Sequence, residues 1–369
     1  MTSSRSSSIQ QVIQALSSFW VERSCAQLPP CSLEIPAALL HPKTFFRLLE
    51  PRPWRGVIAQ PVNRPVDGRR GRHPFRTSLH LQLQVALQRP DPATIRDDVV
   101  ESLRHLGLDP AHHHLRLDSW RWQLEAVGCH GLGWRITLDG VGIGRITFLD
   151  RLADQPLPQD RVDITYGVER LALVSSGVDS IFRLPWHSQG DEALRYDQLR
   201  RTDEEEQSRY LEEVANVGHL RQILDGLERE ARRCLQVEMV RPAYERAIQC
   251  LAVLDVLDVR RDLTDREREE WTAAVRQVVA GAARIHLERQ STETKTIADT
   301  EPVAPATVKK AATRSTKSRS KRSSRATEHD EDSGTTTAQE TPNKPRRKRA
   351  VKSPKKPPRR GSRKEPTDG

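Results

Sequence analysis

The segment 164–172, with the sequence ITYGVERLA, constrains the fold of this chain more than any other. Ile164 and Tyr166 are typical of a strand, and Gly167 separates them from a helix-like continuation. Arg170 would then lie in the first turn of that helix. A helix N-terminus presents free N–H groups and partial positive charge, so an arginine beside it favours phosphate binding. The segment therefore predicts a strand that turns through glycine into a helix next to an anion site.

An arginine-rich segment, residues 60–76, comes earlier in the chain and contains Arg64 and Arg76. Apolar residues alternate with polar ones directly after it, from 79 to 85, which predicts a strand. Gln82 and Gln84 would point to the same face of that strand. The two segments together predict a phosphate site built from an arginine loop and a helix start. A solvated basic loop is the alternative for Arg64 and Arg76, and a surface arginine is the alternative for Arg170.

The apolar pattern elsewhere predicts a mixed α+β fold. Strands are expected at 57–59, 79–85, 134–138 and 146–149, in one antiparallel sheet flanked by helices. Asp139-Gly140 between alternating apolar residues favours a hairpin with a type I′ turn. Helices are expected at 9–20 and 93–106, and a helical pattern continues from about 202 to 289.

The domain boundaries follow from these patterns and from a change of composition after residue 290. Residues 9–201 are expected to form the sheet domain, and 202–290 a helical domain. Residues 1–8 and 291–369 have few large apolar side chains, which predicts disorder. The segment 344–364 contains many Lys and Arg between prolines and no acidic residue, so it is expected to bind RNA or another polyanion by charge.

Charge and cysteine usage bound the function further. The net charge of +10 favours nucleotides or nucleic acids as partners, although the basic tail could carry that charge alone. The 5 cysteines are odd in number and lack CxxC spacing, which favours a reducing cytoplasm over a disulfide framework or a zinc site. We find neither an apolar run long enough for a membrane span nor a secretory signal, so a cytoplasmic protein is expected.

Short motifs in a fixed order resemble the α subunit of the bacterial two-subunit glycyl-tRNA synthetase, a class II aminoacyl-tRNA synthetase. The resemblance runs from about residue 9 to 290, and no single motif decides it. Its most informative parts are Phe19-Trp20, His41-Pro42, Pro53-Trp54, Gln60-Pro61, Asp67-Gly68-Arg69, Gly131-Leu132-Gly133-Trp134, Glu169-Arg170-Leu171-Ala172 and Pro242-Ala243-Tyr244-Glu245-Arg246.

The resemblance implies an enzyme that uses ATP and Mg²⁺. Glycine would be activated as its adenylate and transferred to tRNA(Gly). A separate β subunit would recognise the tRNA, and an α2 homodimer would assemble into an α2β2 enzyme. The antiparallel sheet of class II synthetases would form the catalytic domain, with a helical region after it.

The resemblance also implies roles for particular residues. Arg64 and Arg170 would be catalytic and would bind ATP, together with Arg76, Asp163 and Glu169. Asp163 and Glu169 would also hold Mg²⁺, which prefers one or two carboxylates and phosphate oxygens. The expected substrate-binding residues are Glu34, Gln82, Gln84 and Trp134. A strand-end acid paired with an arginine is the alternative for Asp163, and satisfied interior amides are the alternative for the two glutamines.

The chain departs from the family on the amino-acid side. Pro36-Ala37-Ala38-Leu39 replaces Gly-Ala-Gly-Thr, Trp134-Arg135 replaces Trp-Glu, and residues 142–151 replace Glu-Val-Thr-Gln-Phe-Thr-Tyr-Phe-Gln-Gln. Carboxylates and amides are lost, and Arg121, Arg135 and Arg145 appear. A second hypothesis is therefore a degenerate paralog of the synthetase that binds ATP or RNA without aminoacylation.

Overall fold

The computed structural model describes residues 7–187 and 194–300, with the side chains of 7–187 and 194–292. Disorder was predicted for residues 1–8. Residues 1–6 lie outside the described part of the chain, and Ser8 caps the first helix. Disorder was also predicted for residues 291–369. Residues 301–369 lie outside the described part, whereas residues 291–300 continue the last helix. The basic segment 344–364 is thus outside the described residues.

The described residues form an α+β fold around one eight-stranded sheet, which confirms the predicted fold class. Its strands are β1 Ala26–Gln27, β2 Arg55–Asn63, β3 Leu79–Gln88, β4 Leu115–Leu124, β5 Cys129–Leu138, β6 Val141–Leu152, β7 Gln155–Pro156 and β8 Arg161–Gly167. The spatial order is β1-β2-β3-β8-β6-β5-β4, and β7 pairs with β6. All pairs are antiparallel except β1 with β2, which is parallel.

The predicted hairpin joins β5 to β6. Asp139 and Gly140 have φ angles of 49° and 82°, as the type I′ turn requires at both central positions. A register shift lies between Ile136 and Thr137, two pairs away from the turn, so Ile136 pairs with Gly144 rather than with residue 143. This irregularity decides which side chain of β6 lies opposite each residue of β5.

The helices that cover one face of the sheet are α1 Ile9–Glu22, α3 Ile95–His105 and α4 Val168–Ser176. α1 begins with a capping box, in which the Ser8 hydroxyl accepts from Gln11 N–H and the Gln11 side chain accepts from Ser8 N–H. The apolar stripes of the three helices form one core with alternate residues of the strands, such as Leu83 and Ile164. The intervening strand residues, including Gln82 and Gln84, therefore face the other side of the sheet.

The remaining helices are α2 Pro42–Leu49, α5 Tyr196–Arg209, α6 Val217–Gln236, α7 Val240–Val259 and α8 Asp265–Thr300. A π-helical segment, Tyr210–Val214, follows α5. Helices α2, α6, α7 and α8 share a second core with sheet residues such as Ala86 and Leu149. Contacts thus run between the helical region and the sheet, and the proposed boundary at residue 201 stays a prediction.

The described residues contain neither a helix suited to a membrane nor a cluster suited to a metal ion. None of their helices has the length and apolar character needed to cross a membrane. No group of three or more His, Cys, Asp or Glu side chains among them is arranged to hold a metal ion. All five cysteines are free thiols.

Candidate nucleotide site

A cleft opens on the sheet face opposite α1, α3 and α4. One wall is the loop that follows β2, and another is the start of α4. The remaining wall consists of strands β4, β5 and β6, which we call the tryptophan side because Trp120 and Trp122 lie there. Arg64, Arg76 and Arg170 all line this cleft, so the structure brings the three predicted arginines together.

Arg170 lies in the first turn of α4, directly after the strand-to-helix turn at Gly167. Its Nη1 donates to the carbonyl of Gly142 at 3.2 Å, which directs the guanidinium across the cleft. Burial lowers the pKa of Arg170, and nearby Asp67 opposes this effect. A partly desolvated guanidinium that makes one hydrogen bond to the described residues retains donors for a phosphate.

Arg64 comes directly after β2 and is held by two hydrogen bonds. Its backbone N–H donates to the carbonyl of Ser78 at 2.7 Å. Its Nε donates to the carbonyl of Pro36 at 2.8 Å. Burial lowers the pKa of Arg64, and the positive charge of Arg145 lowers it further. Arg64 is therefore a preorganised cation in a region of positive potential, where an anionic ligand would relieve the repulsion.

Arg76 is more loosely held at the rim of the cleft. Its side chain is 47% exposed, and its Nη1 lies 3.5 Å from Asp67 Oδ1. His80 lines the cleft between the arginines. Burial lowers the pKa of His80 to about 3, and Arg64 and Arg170 contribute to the decrease. The imidazole is thus neutral at physiological pH and can accept a hydrogen bond.

The two acids expected to hold Mg²⁺ are both buried and already hydrogen-bonded. Glu169 Oε1 accepts from Leu81 N–H at 2.8 Å and from the Tyr196 hydroxyl at 3.0 Å. Burial raises the pKa of Glu169, which favours its neutral form. Asp163 is completely buried and does not line the cleft; it accepts from Gln84 Nε2 at 2.7 Å and from Thr165 Oγ1 at 3.1 Å.

The predicted substrate residues are not brought together. Gln82 lines the cleft, and its Oε1 accepts from Ala38 N–H at 3.1 Å. Gln84 lies below the cleft, and its Nε2 donates a hydrogen bond to Asp163. Glu34 lines a separate cavity, where it accepts from the side chain of Asn63. Trp134 packs edge-to-face on Phe148 in the core under α1, α3 and α4, so it lies on the opposite face of the sheet from the cleft.

Two of the three arginines that the sequence indicated on the amino-acid side, Arg135 and Arg145, line the cleft. The guanidinium of Arg145 lies 4.7 Å from the ring centroid of Trp122, and that of Arg135 lies 5.9 Å from the centroid of Trp120. Both contacts are cation–π interactions that hold the arginines in place. Arg121, by contrast, is an exposed residue of β4 that does not line the cleft.

The arginines of the two sequence motifs thus meet on one face of an antiparallel sheet, as the motifs predicted. A family model for the glycyl-tRNA synthetase alpha subunit matches residues 9–291 of the chain. The chain belongs to this family. The membership confirms the predicted resemblance and the assignment to the class II aminoacyl-tRNA synthetases, which are ligases.

Solved structures of more distant proteins are also similar to the chain. Two of them are of pyrrolysyl-tRNA synthetase from Desulfitobacterium hafniense. They are 11% and 10% identical in sequence, and each aligns with a TM-score of 0.36. The alignments cover 53% of this chain and 77% and 79% of those chains.

The residues of the cleft suit ATP better than they suit Mg²⁺, the other cofactor expected for the family. Arg64, Arg76 and Arg170 provide N–H donors and positive charge for a polyphosphate, and neutral His80 provides a polar contact. The carboxylates of Asp163 and Glu169 fit a coordinated Mg²⁺ poorly. Asp163 is buried outside the cleft lining, and both of its oxygens accept protein hydrogen bonds; Glu169 lines the cleft but is buried, and its Oε1 accepts two. The expectation that these two residues hold the metal finds no support in their geometry.

Proposed function

We propose that the cleft binds ATP and that Arg170 and Arg64 contact its phosphates. The support is the convergence of two partly buried guanidinium groups, one at a helix start and one at the end of β2. Their lowered pKa values reflect desolvation, and a phosphate would restore favourable interactions to both. Arg76, more exposed, would contact the outer phosphates. Any Mg²⁺ would then be bound mainly by the phosphates and water rather than by Asp163 or Glu169.

In this proposal the chain takes part in the reaction of its family, glycine–tRNA ligation in the cytoplasm. Arg64 would hold the α-phosphate and the attacking carboxylate together, and Arg170 would stabilise the negative charge on the departing pyrophosphate. No protein nucleophile is needed, since the carboxylate itself attacks the α-phosphate. The acyl group would pass to tRNA(Gly), recognised by a β subunit within an α2β2 assembly. The basic segment 344–364 would add nonspecific contacts with RNA.

A second function is favoured by the tryptophan side of the cleft. Arg135 and Arg145 occupy the region where an amino acid would be activated, and positive charge there disfavours an ammonium group. A synthetase paralog that binds ATP or RNA without aminoacylation would tolerate this change. Under this second function, glycine activation is expected to be weak or absent.

The test of ATP binding is calorimetry with Mg-ATP on the wild type and Arg170→Ala. Loss of a charge-assisted phosphate contact should weaken binding about ten- to hundredfold. Arg183→Ala is a matched control, since Arg183 is an exposed arginine paired with Asp179 outside the cleft. Equal affinities for the wild type and Arg170→Ala would remove Arg170 from the site.

The test that separates the two functions is amino-acid-dependent pyrophosphate exchange, with and without a candidate β subunit. Glycine-dependent exchange at the rate of ordinary synthetases, about 1–10³ s⁻¹, would support the ligase. ATP binding without exchange under both conditions would support the degenerate paralog.

A further inference from the structure

Beneath the cleft lining, the buried carboxylate of Asp163 lies next to Arg145, an arginine of the lining that is not fully hydrogen-bonded. Nη2 of Arg145 lies 3.6 Å from Asp163 Oδ2, with side-chain exposures of 14% and 0%. This is an ion pair whose distance is too long for a hydrogen bond. Nε and Nη2 of Arg145 are buried and make no hydrogen bond to the described residues. Arg145 thus supplies charge to Asp163, whose oxygens already accept from Gln84 and Thr165, while two of its own nitrogens lack partners among the described residues.

The β-sheet register fixes the position of Arg145 over Asp163. Arg135, Arg145, Thr165 and Gln84 lie directly opposite one another across β5, β6, β8 and β3. Residues opposite each other in a sheet point to the same face, so all four project toward the cleft side. The indole of Trp122 packs against the guanidinium of Arg145 and restricts its movement away from Asp163.

Oxygen atoms beside Asp163 would suit a bound ammonium if Arg145 were absent. The Oε1 of Gln84 and the Oγ1 of Thr147 are buried and have no hydrogen-bond partner among the described residues. Gln84 donates to Asp163, and Thr147 pairs with Asp163 across β6 and β8. An ammonium group donates three hydrogen bonds and requires such acceptors when it leaves water.

The acids that line the cleft itself offer an ammonium little compensation. Glu169 is engaged by Leu81 and Tyr196, and Asp67 faces Arg76 at 3.5 Å. The positive charges of Arg64 and Arg145 already repel each other. An added ammonium would therefore meet like charge in a partly desolvated site, which disfavours it strongly.

We propose that Arg145 is a specificity-determining residue whose guanidinium takes the place of a substrate ammonium over Asp163. The cleft then binds a small carboxylic acid that lacks an amino group in preference to an amino acid. This inference rests on the proposed location of the active site. The carboxylate of the ligand would contact Arg64, as it would in the family reaction, and its α-substituent would meet Arg145.

Glycine and glycolate form a suitable ligand pair, because they differ mainly in an ammonium replaced by a hydroxyl. We would titrate each into full-length protein, with and without saturating Mg-ATP, and follow binding by ligand-observed NMR. The wild type should bind glycolate at least about tenfold more tightly than glycine. Arg145→Gln should reduce this preference at least about tenfold, since it removes the charge and exposes Asp163 to the ligand.

Two control variants separate local charge from other effects. Arg145→Lys keeps the positive charge and should keep the preference for glycolate. Arg116→Gln removes the same charge from an exposed residue of β4 outside the cleft and should leave the preference unchanged. If Arg145→Gln does not fold, the ratio of the two affinities in the wild type still decides.

Glycine binding at least as tight as glycolate binding in the wild type would overturn the proposal. An unchanged preference in folded Arg145→Gln, or the failure of both acids to bind wild type, would also overturn it. Failure of Mg-ATP to bind would instead contradict the proposed nucleotide site, and the titrations without ATP would still test Arg145.

Discussion

Glu204 connects helix α5 to the loop that carries Arg64, and we expect its removal to affect both stability and ATP binding. Its carboxylate is buried, and its two oxygens lie 3.0 and 2.9 Å from Ser78 N. It also accepts from the Ser78 hydroxyl at 2.7 Å and the Ser208 hydroxyl at 3.2 Å. The carbonyl of the same Ser78 accepts from Arg64 N–H.

Glu204→Ala should lower the free energy of unfolding by about 3–5 kcal/mol. A hydrogen bond to a charged group contributes about 1.5–3 kcal/mol, and a buried donor left unpaired costs about 1–3 kcal/mol. Glu204 interacts with three donor groups, but their contributions are not additive, so the sum is an upper bound. ATP affinity should also fall, because Ser78 would hold the backbone of Arg64 less firmly.

The stability change can be measured by urea unfolding followed by tryptophan fluorescence. Glu206→Ala is the matched control: Glu206 is an exposed residue of the same helix, and its loss should change stability by no more than about 0.5 kcal/mol. Calorimetry with Mg-ATP at a temperature where both variants are folded tests the second effect. A destabilisation by Glu204→Ala below about 1 kcal/mol would refute the assigned role of this carboxylate.

Three other changes have defined outcomes. Burial raises the pKa of Asp255 to about 7, so the folded state holds this proton more tightly and the contribution of Asp255 to stability should fall from about pH 4 to 7. Asp255→Asn should therefore be more stable at pH 8 by about 1–3 kcal/mol and show no gain below about pH 4 in urea unfolding. Gly144→Ala should separate β6 from β8 and lower the melting temperature, because a Cβ atom would lie 2.4 Å from the carbonyl oxygen of Thr165. Deletion of residues 291–369 should flatten the salt dependence of RNA binding by about 0.7 for each phosphate that the tail neutralises, measured by salt titration with tRNA and unrelated RNA.

Local sequence signals predicted the strand–glycine–helix unit and the β5–β6 hairpin well. Gly167 ends β8 and precedes α4, and Asp139-Gly140 forms the turn with both φ angles positive. These features depend on the backbone preferences of a few neighbouring residues, so they can be read without the rest of the fold. The strand β4 was not predicted, because its edge position leaves many residues exposed and weakens the apolar alternation.

The residue pattern predicts which arginines could bind a phosphate, and the structure brings Arg64, Arg76 and Arg170 to one cleft. What surrounds them depends on strand pairing and burial in the folded chain. The regular register of a two-residue hairpin would pair Arg135 with Gly144, but the shift after Ile136 pairs it with Arg145. Trp134, the neighbour of Arg135 on β5, points to the opposite face because successive side chains alternate along a strand.

Burial, too, was decided by packing between distant segments. Asp163 and Glu169 are acids in strong motifs, yet Gln84, Leu81 and Tyr196 occupy their oxygens. Such partners lie far apart in sequence and meet only when β3, β8 and α5 pack together. Residue type therefore predicts which chemistry is available, whereas strand register and burial decide which groups remain free to perform it.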